Sequence, residues 1–206
     1  MQGGRILVVS VALMLAVANV AIEPPAFAQT QPSASERLNA PGPEAEILSR
    51  MVGYWDVVMT FQVSPDDAAT EVKGLVAHRE MIGNHLQEIM QPERNSQVPE
   101  FRRISYLLFN RVEGRWQYVS LDTRFPVGIM PAESFDAGED RDRIEMVFAP
   151  LGFPGLGPNV EGRMIRSNMV IRRIDTDHDF AEQYWVAADG TSRRWRAVQY
   201  SYTRRP

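Results

Sequence analysis

Between residues 54 and 63 the chain alternates with a period of two. In YWDVVMTFQV, Trp55, Val57, Met59, Phe61 and Val63 fall on one side and Tyr54, Asp56, Val58, Thr60 and Gln62 on the other. Successive side chains of an extended chain point to opposite faces, so the pattern predicts a β-strand. Ser64-Pro65-Asp66-Asp67 is turn chemistry and ends it. Strand-like runs continue at 70–81, 85–90, 101–110, 115–123, 143–149, 163–174, 179–187 and 193–203. Many are joined by short polar punctuation: Gly83-Asn84, Val112-Glu113-Gly114, Asp175 to His178, and Ala188-Asp189-Gly190. Connections that short join antiparallel neighbours, because a parallel crossover needs a dozen or more residues. About eight to ten strands in meander order predict a mainly β fold, a single antiparallel up-and-down β-barrel whose closure removes exposed strand edges. The first and last strands must then pair.

The pattern is different at the N-terminus. Arg5 precedes the apolar run Ile6 to Ala18, and Pro24-Pro25 and Ala26-Phe27-Ala28 follow. A basic start, a short apolar stretch and a small-x-small site predict a secretory signal peptide over residues 1–28, with the mature chain beginning at Gln29. The alternative is a membrane anchor, since the apolar stretch extends to Ile22 if Ser10 and Asn19 are tolerated. The prolines and the Ala-x-Ala site favour cleavage, hence a periplasmic or secreted protein with no stable membrane span after processing. Residues 29–43 offer little to bury and read as a flexible leader before a barrel domain over 44–206. Pro43 suits the first turn of one short helix, in which Ile47, Leu48 and Met51 share a face.

The chain has no cysteine, which excludes disulfides and a lipid-tethered cysteine. The net charge of -4 argues against a nucleic-acid partner, which calls for a basic stripe or patch. Three longer connections interrupt the meander. Residues 91–100 are polar, but 124–134 carry Phe125, Val127, Ile129 and Met130, and 149–162 carry Leu151, Phe153 and Leu156 among prolines and glycines. Loops that long and that apolar either plug one end of a barrel or cover a cavity.

Alternation can turn several polar residues inward: His78 and Glu80, His85 and Gln87, Asp122, Arg166 with Asn168, Glu182 and Gln199. A carboxylate inside a barrel is costly unless paired, so Glu80 or Glu182 would need Arg166 or a histidine beside it. A slip of one residue reverses every face, and the same residues would then lie on the solvated exterior. His78 and His85 flank the Gly83-Asn84 turn and His178 sits in an Asp-rich turn, but no HExxH and no close histidine pair on one strand supports a metal. No Gly-x-Ser-x-Gly elbow supports nucleophilic hydrolysis.

Several segments together resemble the bacterial domain-of-unknown-function family 1579. They are Met51-Val52-Gly53-Tyr54-Trp55-Asp56, the strand pair around Ile82-Gly83-Asn84, Leu108-Phe109-Asn110 with Gly114-Arg115-Trp116, the piece from Arg166 to Asp179, and the ending from Tyr200 to Arg205. The chain departs from the family's pattern at Asn84, at Leu108-Phe109-Asn110 and at Ser120-Leu121. The resemblance implies a calycin-like barrel of the lipocalin or nitrobindin kind and no established reaction. Gly53-Tyr54-Trp55 is similar to the Gly-x-Trp that opens such barrels, a structural motif: Gly53 admits the preceding helix, Trp55 closes the floor, and Arg204, or else Arg196, supplies a cation against the indole.

The leading expectation is a barrel binding a small, largely apolar ligand beneath the two apolar connections, with Arg166, Glu182, His78, Glu80, His85 and Gln199 as candidate ligand contacts, Arg166 anchoring a carboxylate if the ligand has one. No cofactor or metal is expected. The alternatives are an interaction protein, monomer or homodimer, docking through the apolar loops on an envelope partner or on its own copy; an enzyme with Glu182 or Glu80 as general base; and a haem barrel in which His78 or His85 donates to iron.

Overall fold

The structure, a computed structural model, describes residues 31–135, 137, 138, 140–153, 163–188 and 190–206. The signal segment expected at 1–28, and Leu156 of the second apolar connection, lie outside the described residues. Ser33–Pro206 form one unit.

Two short helices come first, α1 (Ala34–Asn39) and α2 (Pro43–Ser49). The second is the helix that Pro43 predicts. The first lies where the composition predicts a leader, and its cause is local. Ser33 Oγ accepts the Glu36 N–H at 3.2 Å while the Glu36 carboxylate accepts the Ser33 N–H at 2.6 Å, a reciprocal cap that satisfies donors a helix start otherwise leaves open. Helix α1 buries none of its residues. It is held from outside by Arg111, whose Nη1 donates to the carbonyls of Arg37 at 2.9 Å and Ala40 at 2.8 Å.

Eleven strands follow: β1 (Gly53–Phe61), β2 (Thr70–Ile82), β3 (His85–Pro92), β4 (Arg103–Asn110), β5 (Arg115–Asp122), β6 (Ile129–Glu133), β7 (Arg143–Phe148), β8 (Leu151–Phe153), β9 (Arg163–Arg173), β10 (His178–Ala187) and β11 (Arg194–Arg204). Every pairing is antiparallel, in meander order, and β11 returns to β1 with Trp55 opposite Arg204 and Phe61 opposite Val198. β7 and β8 occupy one place beside β9, with the register slipping by one residue between them at Ala149-Pro150. The result is a closed antiparallel barrel of ten strand positions. The two apolar connections are thus shorter than the sequence suggests. Part of 124–134 is β6, carrying buried Ala132, and part of 149–162 is β8, carrying buried Phe153. Prolines 126, 131 and 150 mask both strands in the sequence, since proline cannot donate to a ladder.

One end of the barrel is stoppered. Leu48 and Met51 are buried against Leu86, Leu107 and Trp116. Trp55 Nε1 donates to the Met51 carbonyl at 3.0 Å, which ties the chain after α2 to the barrel floor. The indole is 1 % exposed and has two guanidinium groups against it, Arg204 4.2 Å and Arg79 5.0 Å from a ring of Trp55. The guanidinium of Arg204 also donates to the carbonyls of Arg50 and Thr176, so one side chain from the last strand ties β1, the helix exit and the β9–β10 turn. This crowding explains Gly53. Its φ of 135° favours glycine, and a Cβ there would lie 2.7 Å from Arg204 Nη1.

Candidate functional site

From the floor upward the interior changes from apolar to polar and back to apolar. The polar belt is built from inward positions of strands on opposite sides of the ring: Arg79 on β2, Glu88 on β3, Arg103 on β4 and Asp179 on β10, each at most 6 % exposed. Arg79 Nε donates to Glu88 Oε2 at 2.8 Å and Arg79 Nη1 to Asp179 Oδ2 at 2.6 Å. Arg103 Nη2 donates to Glu88 Oε1 at 3.2 Å and to the Tyr118 hydroxyl at 3.3 Å, and the Tyr202 hydroxyl donates to Glu88 Oε1 at 3.4 Å. The guanidinium planes lie over aromatic rings, Arg79 4.0 Å from Tyr202 and Arg103 4.4 Å from Tyr200.

Taking an ion out of water costs several kcal/mol, so a belt of this kind exists only where each charge meets a partner. Burial alone would push Glu88 up, but Arg79 and Arg103, with the hydrogen bonds from Arg79 and Tyr202, hold its carboxyl below the usual range. Asp179 goes the other way: burial raises it despite Arg79. Glu88 is ion-paired with both buried arginines, whereas Asp179 is ion-paired with Arg79 and feels Arg173 and Arg204 only from a distance, which does not outweigh its burial. Burial also pushes the Tyr202 hydroxyl up, and it stays protonated as a donor.

Above the belt, at the end away from α2, lies a cavity of about 80 Å³. Its walls include Met59, Phe61, Trp185 and Val198, and its mouth carries Phe125, Met130, Leu151 and Phe153 from the two apolar connections. The aromatic rings are packed on one another, Phe153 4.6 Å from Trp185 and 5.0 Å from Phe125. Leu151 and Phe153 thus face the cavity. The polar atoms in this wall come from Arg103, Tyr118, Ser120, Asp122, Arg124, Ser167, Gln183 and Tyr200. Arg124 is neutralised by Asp122, which accepts from Nε at 2.9 Å and from Nη2 at 2.5 Å, and its guanidinium rests 3.8 Å from the Phe101 ring.

Three polar atoms of this wall are different. Arg103 Nε, Arg103 Nη1 and Ser167 Oγ are buried with no hydrogen-bond partner among the described residues. An unsatisfied buried donor costs about 1–3 kcal/mol and more on a charged group. A second cavity of about 30 Å³ adjoins the belt from the α2 side and is also lined by Arg103.

The candidates drawn from the sequence lie elsewhere. Arg166, Glu80 and His85 are exposed and His78, Glu182 and Gln199 are half-buried, all on positions that alternate with the inward ones. His78 stacks on Tyr54 at 4.3 Å on the exterior, His85 Nδ1 lies 3.2 Å from the Ile82 carbonyl, and Glu182 pairs with Arg196 at 3.0 Å. The structure therefore brings none of the six into the cavity; the correction is a shift of one residue per strand, from His78 and Glu80 to Arg79, from His85 and Gln87 to Glu88, and from Arg166 to Ser167. Glu80 and Glu182 line neither of these two cavities, so neither is placed as a general base there. Nor does either imidazole reach the interior, and the residues present do not fit a haem held by His78 or His85. Of the polar residues considered, Asp122 does face inward.

A signal for part of this was present. On β3 the larger apolar side chains Leu86 and Met90 share a face with Glu88, and on β9 Ile165, Met169 and Ile171 share one with Ser167. Placing the apolar phase inward turns Arg166 out. Among the described residues no cluster of three or more His, Asp or Glu side chains is disposed to hold a metal, and no helix is long and apolar enough to cross a membrane.

Comparison with known proteins agrees with this geometry at the level of the fold. A model of the family described as "Protein of unknown function (DUF1579)" matches residues 40–204. No curated protein matches the chain. Among solved structures it is similar to the crystal structure of Rv2717c from M. tuberculosis, with a TM-score of 0.53 and 15% sequence identity over 81% of this chain and 100% of that one. That likeness speaks to the barrel alone.

Proposed function

The chain belongs to the DUF1579 family of proteins of unknown function, and on that premise we propose that it is an exported barrel that binds a small, largely apolar ligand in the cavity between the charged belt and the aromatic mouth. The observation that carries this reading is the cavity itself. Ten strands and a helical stopper fill most of the interior, yet a space of about 80 Å³ remains at the end where two apolar connections meet. Pockets that bind small molecules are mainly apolar with a few convergent polar groups, which is the composition of this wall. The size limits the occupant. The cavity is smaller than the roughly 150 Å³ that accommodates benzene in an apolar protein core, so a compact molecule fits and a long-chain lipid does not unless the mouth opens. Export rests on the basic, apolar and Ala-x-Ala order of residues 1–28.

Native mass spectrometry of the protein purified from its own periplasm tests both parts. The expected result is a mature chain beginning at Gln29 and carrying added mass, with the mass lost in Val198→Phe, which fills the cavity. A chain retaining residues 1–28, or one always empty and giving no nuclear magnetic resonance shifts at Met59, Trp185 or Val198 with small apolar compounds, would overturn the corresponding part.

A further inference from the structure

We infer that the ligand is a small monocarboxylate, its apolar part toward Phe125, Phe153 and Trp185 and its carboxylate on Arg103 and Ser167. This rests on the ligand-binding reading above and assigns the chemical class that the site selects. Two arginines reach the cavity wall, Arg103 and Arg124. Arg124 is saturated by the carboxylate two residues before it. Arg103 is 6 % exposed and shares its one carboxylate, Glu88, with Arg79, while its Nε and Nη1 have no acceptor among the described residues. Ser167, on β9, is 3 % exposed, lines the same cavity, and carries a hydroxyl with no partner. A buried cation with open N–H groups and a buried hydroxyl, lining one cavity whose other polar residues do not pair with them, lack the same thing: an acceptor. Arginine suits a carboxylate because its donors are fixed in a plane and its charge is permanent.

The alternative occupants fit less well. A neutral apolar molecule would leave the three polar atoms unsatisfied. A cation would face the Arg103 guanidinium. A dianion such as phosphate would add a second buried negative charge in a wall that already holds Asp122 beside Arg124. A single carboxylate on a short apolar body offers acceptors to the open donors of Arg103 and Ser167 and an apolar part to the lining.

Titration of the intact barrel domain with acetate and propionate, against acetamide and propionamide as neutral isosteres, separates the possibilities by nuclear magnetic resonance. Each acid is expected to bind at least tenfold more tightly than its amide. Ser167→Ala, which removes a hydroxyl and leaves packing nearly intact, is expected to weaken the acids severalfold and the amides little. Arg103→Lys keeps the charge but loses donors and is expected to narrow the preference further, its melting curve reporting whether the belt survives. Equal binding of acids and amides, or an acid preference untouched by Ser167→Ala and Arg103→Lys, overturns the assignment while leaving an apolar binding barrel in place. Failure of all four compounds to shift any cavity resonance overturns both.

Discussion

The charged belt makes Glu88 the residue whose removal is most informative. Its carboxylate accepts from Arg79 at 2.8 Å, from Arg103 at 3.2 Å and from Tyr202 at 3.4 Å, and 6 % of the residue is exposed. Glu88→Gln keeps the shape and one acceptor but deletes the charge. Arg79 would retain Asp179, whereas Arg103 would be left as a buried cation with no carboxylate. Removing one partner of a buried ion pair costs about 3–5 kcal/mol, and the retained amide oxygen argues for the lower end, about 3 kcal/mol. In a domain of this size each kcal/mol moves the melting temperature by about 2–4 °C, so a fall of about 6–12 °C is expected at pH 7. Calorimetry or circular dichroism of residues 29–206 measures it, with urea midpoints as a second measure. Glu80→Gln is the control, because Glu80 lies one position from Arg79 on the exposed face and is expected to change stability by less than about 0.5 kcal/mol. A loss under about 1 kcal/mol for Glu88→Gln, or an equal loss in the control, would refute the assignment of faces on which the site is built.

The belt also sets a pH dependence. Glu88 is held below its ordinary value of 4.5, so its stabilisation is complete above that pH and is lost as acid protonates the native carboxylate. Asp179 is raised above its ordinary 3.8, so the native state takes up its proton first and gains stability as pH falls toward 3.8. Glu88→Gln should therefore flatten the loss of stability below pH 4.5, and Asp179→Asn should steepen it while costing less than Glu88→Gln at pH 7. Urea midpoints between pH 7 and pH 3 check this; a Glu88→Gln profile as steep as the parent's would contradict it. Truncation after Trp195 removes most of β11, which pairs with both β1 and β10 and carries Tyr200, Tyr202 and Arg204. It should abolish cooperative unfolding, since the ladder groups of two neighbours lose their partners, and a melting transition near the parent's would refute closure.

The barrel was legible in the chain because its evidence is local. Period-two alternation, the Gly83-Asn84 turn and the short polar links specify antiparallel neighbours one pair at a time, and once the neighbours are in order the closing pair of β1 and β11 follows. The capping of α1 by Ser33 and Glu36 is equally local, and β6 and β8 were hidden only by their prolines. The site is different in kind. A strand states that two faces exist, and only the ring states which one is enclosed. On β4 the apolar phase misleads: Ile104 and Leu108 lie on the outward-alternating side, while Arg103 and Ser105 are buried. Arg103 can lie inside because Glu88 on β3, Tyr118 on β5 and Tyr200 on β11 converge on it from three strands. Likewise Arg79 and Asp179, a hundred residues apart, meet only when β2 and β10 stand on either side of the pair β11 and β1. Burial of a charge depends on partners that are distant in the chain, so its cost is offset by contacts that no alternation pattern encodes.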